Sequence, residues 1–219
     1  MRSNLAKKCA AGAMLFGGTL GATSAADAGL VVWNCNIGVS KYINGAENYG
    51  TFVNVETQQF YSDTVDGPVG TPVTTWDLDF QPFTSKMTLV SFDPAQGNVG
   101  STAGPGLAKL ALNTVVGSSL TSPLSFTASG TLMSAAGNPN KWNAGDTGYF
   151  GFKFKVASGA TRYGWGEIDL NTGSLQEGII TKLVYEDTGA SVTVGVVPAP
   201  GAFGLVGLAG VITGRRRKA

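Results

Sequence analysis

The chain has 219 residues, of which 43% are hydrophobic and only 13% charged, with 32 glycines and no histidine. This is too apolar for a disordered chain, and low charge with many Gly, Thr, Val and aromatic residues favours strands and turns over helices. The lack of histidine excludes an imidazole base, a His-containing triad and His metal ligands. The formal charge of +1 hides a split: seven of the fifteen Lys and Arg lie in the two end segments. Residues 29–195 therefore carry eight basic against thirteen acidic side chains, a net charge near −5, with no basic stripe to follow nucleic acid phosphates.

Residues 1–28 read as a secretory signal peptide. Arg2, Lys7 and Lys8 form a positive start, residues 9–20 (CAAGAMLFGGTL) an apolar run, and small residues follow. Ala26-Asp27-Ala28 fits the A-x-A rule and predicts cleavage by signal peptidase before Gly29; Ser24-Ala25-Ala26 is the competing site, with cleavage before Asp27. The run is too short to span a bilayer. Cleavage removes Cys9 and leaves Cys35 alone, which excludes an intramolecular disulfide and predicts a small buried residue in the first strand.

Between the ends, period-two runs predict strands at 30–35, 50–56, 73–80, 86–92, 149–156, 161–170, 178–187 and 190–196. In VTTWDLDF the alternation sets Trp76, Leu78 and Phe80 on one face and Asp77 and Asp79 on the other. In YFGFKFKV it sets Phe150, Phe152, Phe154 and Val156 against Lys153 and Lys155. Turn clusters such as Asp66-Gly67-Pro68, Gly104-Pro105-Gly106 and Gly137-Asn138-Pro139-Asn140 separate the runs. Residues 95–125 have the weakest pattern, and 107–116 admits a short helix or two strands. The expected body is one all-β domain, 29–195, folded as an antiparallel, jelly-roll-like β-sandwich.

Residues 196–219 have three parts: Val197-Pro198-Ala199-Pro200, which continues neither strand nor helix; an apolar run of small residues at 201–214; and Arg215-Arg216-Arg217-Lys218. Fourteen helical residues span roughly 21 Å, short of the ~30 Å hydrocarbon core, so this apolar helix is a marginal permanent anchor. The basic cluster is expected to stay cytoplasmic and leave the body outside. The tail resembles a PEP-CTERM sorting signal, whose Val-Pro-Glu-Pro motif is matched at Val197, Pro198 and Pro200, with Ala199 in place of the glutamate. The resemblance implies transient anchoring in the inner membrane, processing by an exosortase-like transpeptidase, and delivery to the cell surface or extracellular matrix. Tyr149-Phe150-Gly151-Phe152-Lys153-Phe154, Tyr163-Gly164-Trp165 and Val184-Tyr185-Glu186-Asp187-Thr188-Gly189 also resemble the ectodomains that precede such tails, with Asp187 inserted between Glu and Thr. That likeness carries no established activity.

Three candidate sites follow. Trp165-Gly166-Glu167-Ile168-Asp169-Leu170 resembles the E-[IL]-D-x-x-E strand of jelly-roll β-glucanases, where same-face carboxylates supply nucleophile and acid/base. Glu167 and Asp169 would share a face about 6.7 Å apart, but the third acid is replaced by Thr172. No catalytic residue is therefore assigned. Asp77, Asp79, Asp93, Asp146, Asp169 and Asp187 offer oxygens to a structural Ca2+, although no D-x-D-x-D-G loop is present and no metal site is assigned. Tyr163 and Trp165 beside Glu167 and Asp169 could form a glycan platform; the alternative is a core-facing Trp. The expectation is an exported, surface-sorted structural or adhesive protein without cofactor or catalysis. The competing reading is a secreted carbohydrate-active domain, either a lectin-like polysaccharide binder or a degenerate β-glucanase.

Overall fold

The computed structural model describes residues 29–40, 42–43, 46–47, 50–63, 76–83, 86–91, 97–101, 106–134, 142–171 and 177–197. The expected signal peptide at 1–28, Pro198, Ala199 and Pro200 of the expected sorting motif, the apolar run, Arg215 to Lys218, and Asp93 lie outside the described residues.

The described strands are β1 (Leu30–Ser40), β2 (Tyr42–Ile43), β3 (Ala46–Glu47), β4 (Gly50–Asn54), β5 (Gln59–Asp63), β6 (Leu78–Phe83), β7 (Lys86–Val90) and β8 (Gly97–Ser101). They continue with β9 (Val115–Val116), β10 (Leu124–Thr127), β11 (Ser129–Ser134), β12 (Thr147–Lys155), β13 (Thr161–Leu170), β14 (Glu177–Glu186) and β15 (Val192–Thr193). One sheet has the order β1-β14-β13-β12-β8-β10, a second the order β11-β7-β6-β4-β5, and two short pairs are β15–β9 and β2–β3. All these strand pairs are antiparallel, so the described chain is all-β and consistent with a β-sandwich.

Both sheets feed one core. Phe150, Phe152, Phe154, Ile168 and Leu183 come from the first, and Val53, Leu78, Phe80, Leu89 and Leu132 from the second. Each fully buried side chain of this size contributes about 1.5–3 kcal/mol. The expected alternation in β12 is present, with Phe150, Phe152 and Phe154 all fully buried. Their cross-strand neighbours explain the glycines of β13. Phe150 sits opposite Gly166 and Phe152 opposite Gly164, and a Cβ on either glycine would run into the facing ring. Phe80 meets Phe150 edge-on, with ring centroids 5.6 Å apart and planes at 76°.

The other face of the six-stranded sheet is covered as well. Segment 108–120 and β15 lie over it, and Ala108, Leu110, Val116, Val192 and Val194 pack with Trp165 and Val184 in a second cluster. Glu186 secures the end of this cover. Its carboxylate is 3% exposed and accepts bonds from the Thr188 amide (3.1 Å), the Thr188 hydroxyl (2.7 Å) and the Ala190 amide (2.6 Å). Gly189, at φ +91°, makes the turn that brings Ala190 back. The Glu-Asp-Thr-Gly run is thus a turn clamp between β14 and β15.

Several expectations change. Of the run at 73–80, residues 73–75 lie outside the described residues, Trp76 and Asp77 precede the strand that begins at Leu78, and Trp76 does not join Leu78 and Phe80 in the main core. Its ring packs on Phe52 (6.1 Å) and Tyr61 (6.5 Å). The cause is Asp77, whose amide donates to Val53 O (2.9 Å) and whose carboxylate accepts from Val55 N (2.7 Å), fixing the bend to the β4–β5 turn. Segment 107–116 forms no helix; it makes single bridges at Gly106, Leu107 and Leu110 and then β9. The run at 190–196 shortens to Val192–Thr193, because Gly195 turns the chain at φ +83°. Strands β5, β8, β10 and β11 had no legible alternation. Cys35 lies in β1, half-buried against the core, with Sγ 3.4 Å from Ile180 O.

Two substitutions test this packing. Gly164→Ala places a Cβ against the Phe152 ring and 2.7 Å from Val184 O, and should cost about 1–3 kcal/mol, roughly 3–10 °C in Tm. Gly38→Ala, where nothing lies within 4 Å, should leave Tm unchanged or slightly raised. Glu186→Gln should cost about 2–3 kcal/mol by weakening or orphaning the donors it now satisfies, measured by denaturant unfolding at pH 7.

Candidate functional site

The strand singled out by sequence is β13, and Tyr163, Trp165, Glu167 and Asp169 do share its outer face, since each alternates with a core-facing residue. Their surroundings differ sharply along the strand. Tyr163 packs on Phe126, ring centroids 5.9 Å apart. Trp165 is 1% exposed, capped by the second cluster and edge-on to Tyr149 at 5.5 Å. Its ring therefore offers no open face to a sugar, and the core-facing alternative describes it. Glu167 pairs cross-strand with Lys182, Oε2 to Nζ 3.7 Å, both side chains about a quarter exposed. Asp169 is exposed and accepts from the Thr147 hydroxyl at 3.2 Å.

Asp169 alone of the four reaches a groove, of about 610 Å³, at the β13–β14 hairpin end of the sheet. Gly38, Ser40, Asn171, Glu177 and Ile179 complete its main walls. Asn171 Nδ2 donates to Glu177 Oε2 at 2.8 Å. The groove is a rim of hydrogen-bonding side chains over an apolar floor. Ser40, Asn171 and Glu177 were missed by sequence reasoning because they come from three separate strand ends and form no motif. The glucanase-like pairing is split: Glu167 is held by Lys182 outside the groove, and Asp169 opens into it.

Four of the acids considered for calcium have protein partners among the described residues. Asp77 holds Val55 N, Asp79 accepts from Gln81 Nε2 at 2.6 Å, Asp146 pairs with Lys109 at 3.0 Å, and Asp187 accepts from Gly29 N at 3.1 Å. Among the described residues no group of three or more His, Cys, Asp or Glu is placed to hold a metal ion.

Asp77 and Asp79 are the unexpected pair. Both are buried, at 4% and 0% exposure, and Asp79 Oδ1 has no hydrogen-bond partner. Burial pushes both carboxyls up to about 7, Asp77 despite its Val55 bond and aided by nearby Glu56, and Asp79 despite its Gln81 bond. Glu186 and Asp146 go the other way. For Glu186 burial is outweighed by Thr188, Ala190 and Gly189 donors; for Asp146 burial is outweighed by Asn143 and Lys109.

These shifts predict an acid-side optimum of stability. Between the ordinary value of 3.8 and about 7 the folded chain holds protons on Asp77 and Asp79 that the unfolded chain has lost. Stability should fall as pH rises through that window and level off above it. The contributions of Glu186 and Asp146 are complete above the ordinary carboxylate range and are lost as pH falls through their lowered values. Thermal melts from pH 3 to 9 should peak at about pH 4. Asp79→Asn should match wild type at about pH 3.5, below the ordinary value, and melt several degrees higher near pH 8. A wild-type curve that is flat from pH 4 to 8 would contradict the buried-acid account.

No protein-family model, curated protein or solved structure matches this chain.

Proposed function

We propose that this chain is an exported, surface-sorted structural or adhesive protein of the cell envelope or extracellular matrix, and not an enzyme. Signal peptidase removes its start. An exosortase-like transpeptidase reads the PEP-CTERM-like motif at Val197, Pro198, Ala199 and Pro200. The apolar run and the Arg215, Arg216, Arg217 and Lys218 cluster hold the precursor in the inner membrane until then. We read the body as a jelly-roll-like sandwich, because β1 returns beside β14 and β8 beside β12, both long-range pairings.

The observation that carries the non-catalytic reading is the filled outer face of β13. A glucanase-type site needs that face open over at least two same-strand carboxylates. Here Trp165 is buried under the 108–120 cover and Glu167 is engaged by Lys182. The groove beside Asp169 favours a second reading, a lectin-like contact with polysaccharide, over hydrolysis.

The two ends are tested together in a host carrying the sorting enzyme. Surface material from the wild type should begin at Gly29 or Asp27 and lack the tail by mass spectrometry. Replacing the four basic residues by Ser should let unprocessed precursor escape, because each charge costs about 2.5–3.5 kcal/mol to carry through the bilayer centre. Pro198→Ala with Pro200→Ala should leave it anchored and uncleaved. Tails left intact in every fraction would refute sorting, and turnover of laminarin or lichenan that vanishes in Glu167→Gln would refute the non-catalytic reading.

A further inference from the structure

Among the described residues seven large hydrophobic side chains are exposed, and four of them belong to two short segments that touch: Leu112 (60%), Val115 (55%), Val196 (44%) and Val197 (39%). Val115 pairs with Thr193 across β9–β15. Asn113 N donates to Val194 O at 3.0 Å and Val194 N to Thr114 O at 2.9 Å. Leu112 lies against Gly195, which leaves no room for a Cβ there. The inner residues of the same segments, Val116, Val192 and Val194, are buried in the second cluster. The patch is therefore fixed to the body and does not hang from it.

Charge singles out the same surface. No Asp, Glu, Lys or Arg occurs from 110 to 140, and none from 188 to 214. The longest uncharged stretch of the body thus pairs here with the stretch that continues without a charge into the apolar run of the tail. Elsewhere the body is acidic, near −5 over 29–195. An acidic surface is repelled by anionic headgroups, and a charged one must give up water to approach lipid. This face does neither.

Reach sets the depth. Four Cα steps separate Val197 from Gly201, where the apolar run begins. Fully extended, four residues of any chain reach at most about 14 Å. The headgroup layer on one side of a bilayer is roughly 5–8 Å thick. With the run inserted, the body can stand less than about 10 Å clear of that layer.

We infer that the face formed by Leu112, Val115, Val196 and Val197 rests on the bilayer while the tail is anchored. It sets the body in one orientation, with the Val197-Pro198-Ala199-Pro200 motif held in the headgroup layer where a membrane enzyme meets it. This rests on the sorting-tail reading above, and the partner is the lipid surface itself.

The test uses the chain from residue 29 to 219 in vesicles of three parts phosphatidylethanolamine to one part phosphatidylglycerol, in a Cys35→Ala background. An environment-sensitive NBD label is placed on Leu112→Cys, on Val115→Cys, or on Gln59→Cys, an exposed position in β5 of the opposite sheet. Labels at 112 and 115 should shift to the blue on vesicle binding and be quenched by headgroup-level nitroxide lipids. The label at 59 should do neither. Val196→Cys should behave like 112, and lose its protection when Leu112→Glu and Val115→Glu are added. A chain that floats with vesicles while 112 and 115 keep their aqueous spectra would overturn the inference and leave the anchor intact. A chain that does not float would overturn both. Protection that appears only at high surface density, with disulfide cross-linking between copies of the unlabelled Leu112→Cys variant, would assign the patch to a second copy and overturn the lipid contact.

Discussion

Two phenylalanine rings lying flat on two glycines set the spacing on which the rest of this domain depends. Phe150 over Gly166 and Phe152 over Gly164 bring β12 and β13 together without a side chain between ring and backbone. The rings are then free to reach across the core, where Phe80 meets Phe150 edge-on. A methyl group at either glycine would push a ring toward the five-stranded sheet, and close-packed interiors yield little to such a push. The aromatic-glycine runs that resemble sorted ectodomains are therefore explained by packing, with no ligand required.

Because the glycines give their inner face to the rings, the residues between them point outward, and Trp165 is the largest of these. An indole on an open sheet face would be a sizeable apolar surface in water. The chain covers it with segment 108–120 and β15, which buries the six-stranded sheet on both sides around Trp165 and Val184. What remains open is pushed to the hairpin end, where Asp169, Asn171 and Glu177 edge the groove. The same cover carries the uncharged face toward the point where the tail leaves. The burial of one tryptophan thus fills the middle of the outer face of β13 and holds in place the segments that carry the uncharged patch.

The few charges are spent on backbone. Asp77 fixes the β4–β5 turn, Glu186 the β14–β15 turn, Asp187 the start of β1, and Asp146 the turn before β12. Each satisfies amides that a short loop would otherwise leave unpaired. Asp79 differs from these four, buried with one oxygen unpartnered, and its proton is the means by which the fold tolerates it.

The sequence by itself determined the all-β class of the body, and it carries the export and sorting proposals for the two ends. A positive start before a short apolar run, and a proline motif before an apolar run and a basic cluster, are written locally and need no tertiary contact to be read. The alternation of β12 and β13 was equally legible, because period two survives wherever one face is buried. Tertiary structure alone decided which face of a strand was open. Trp165 and Asp169 stand at equivalent positions in the alternation, yet one is capped by residues some forty to sixty positions earlier in the chain and the other is not. Likewise Asp77 and Asp79 read as solvated, since nothing local announces their burial, and Ser40, Asn171 and Glu177 share a groove only because three strand ends converge. Burial is a sum over partners distant in sequence, and a single strand's pattern records its own two faces but not what is laid on them.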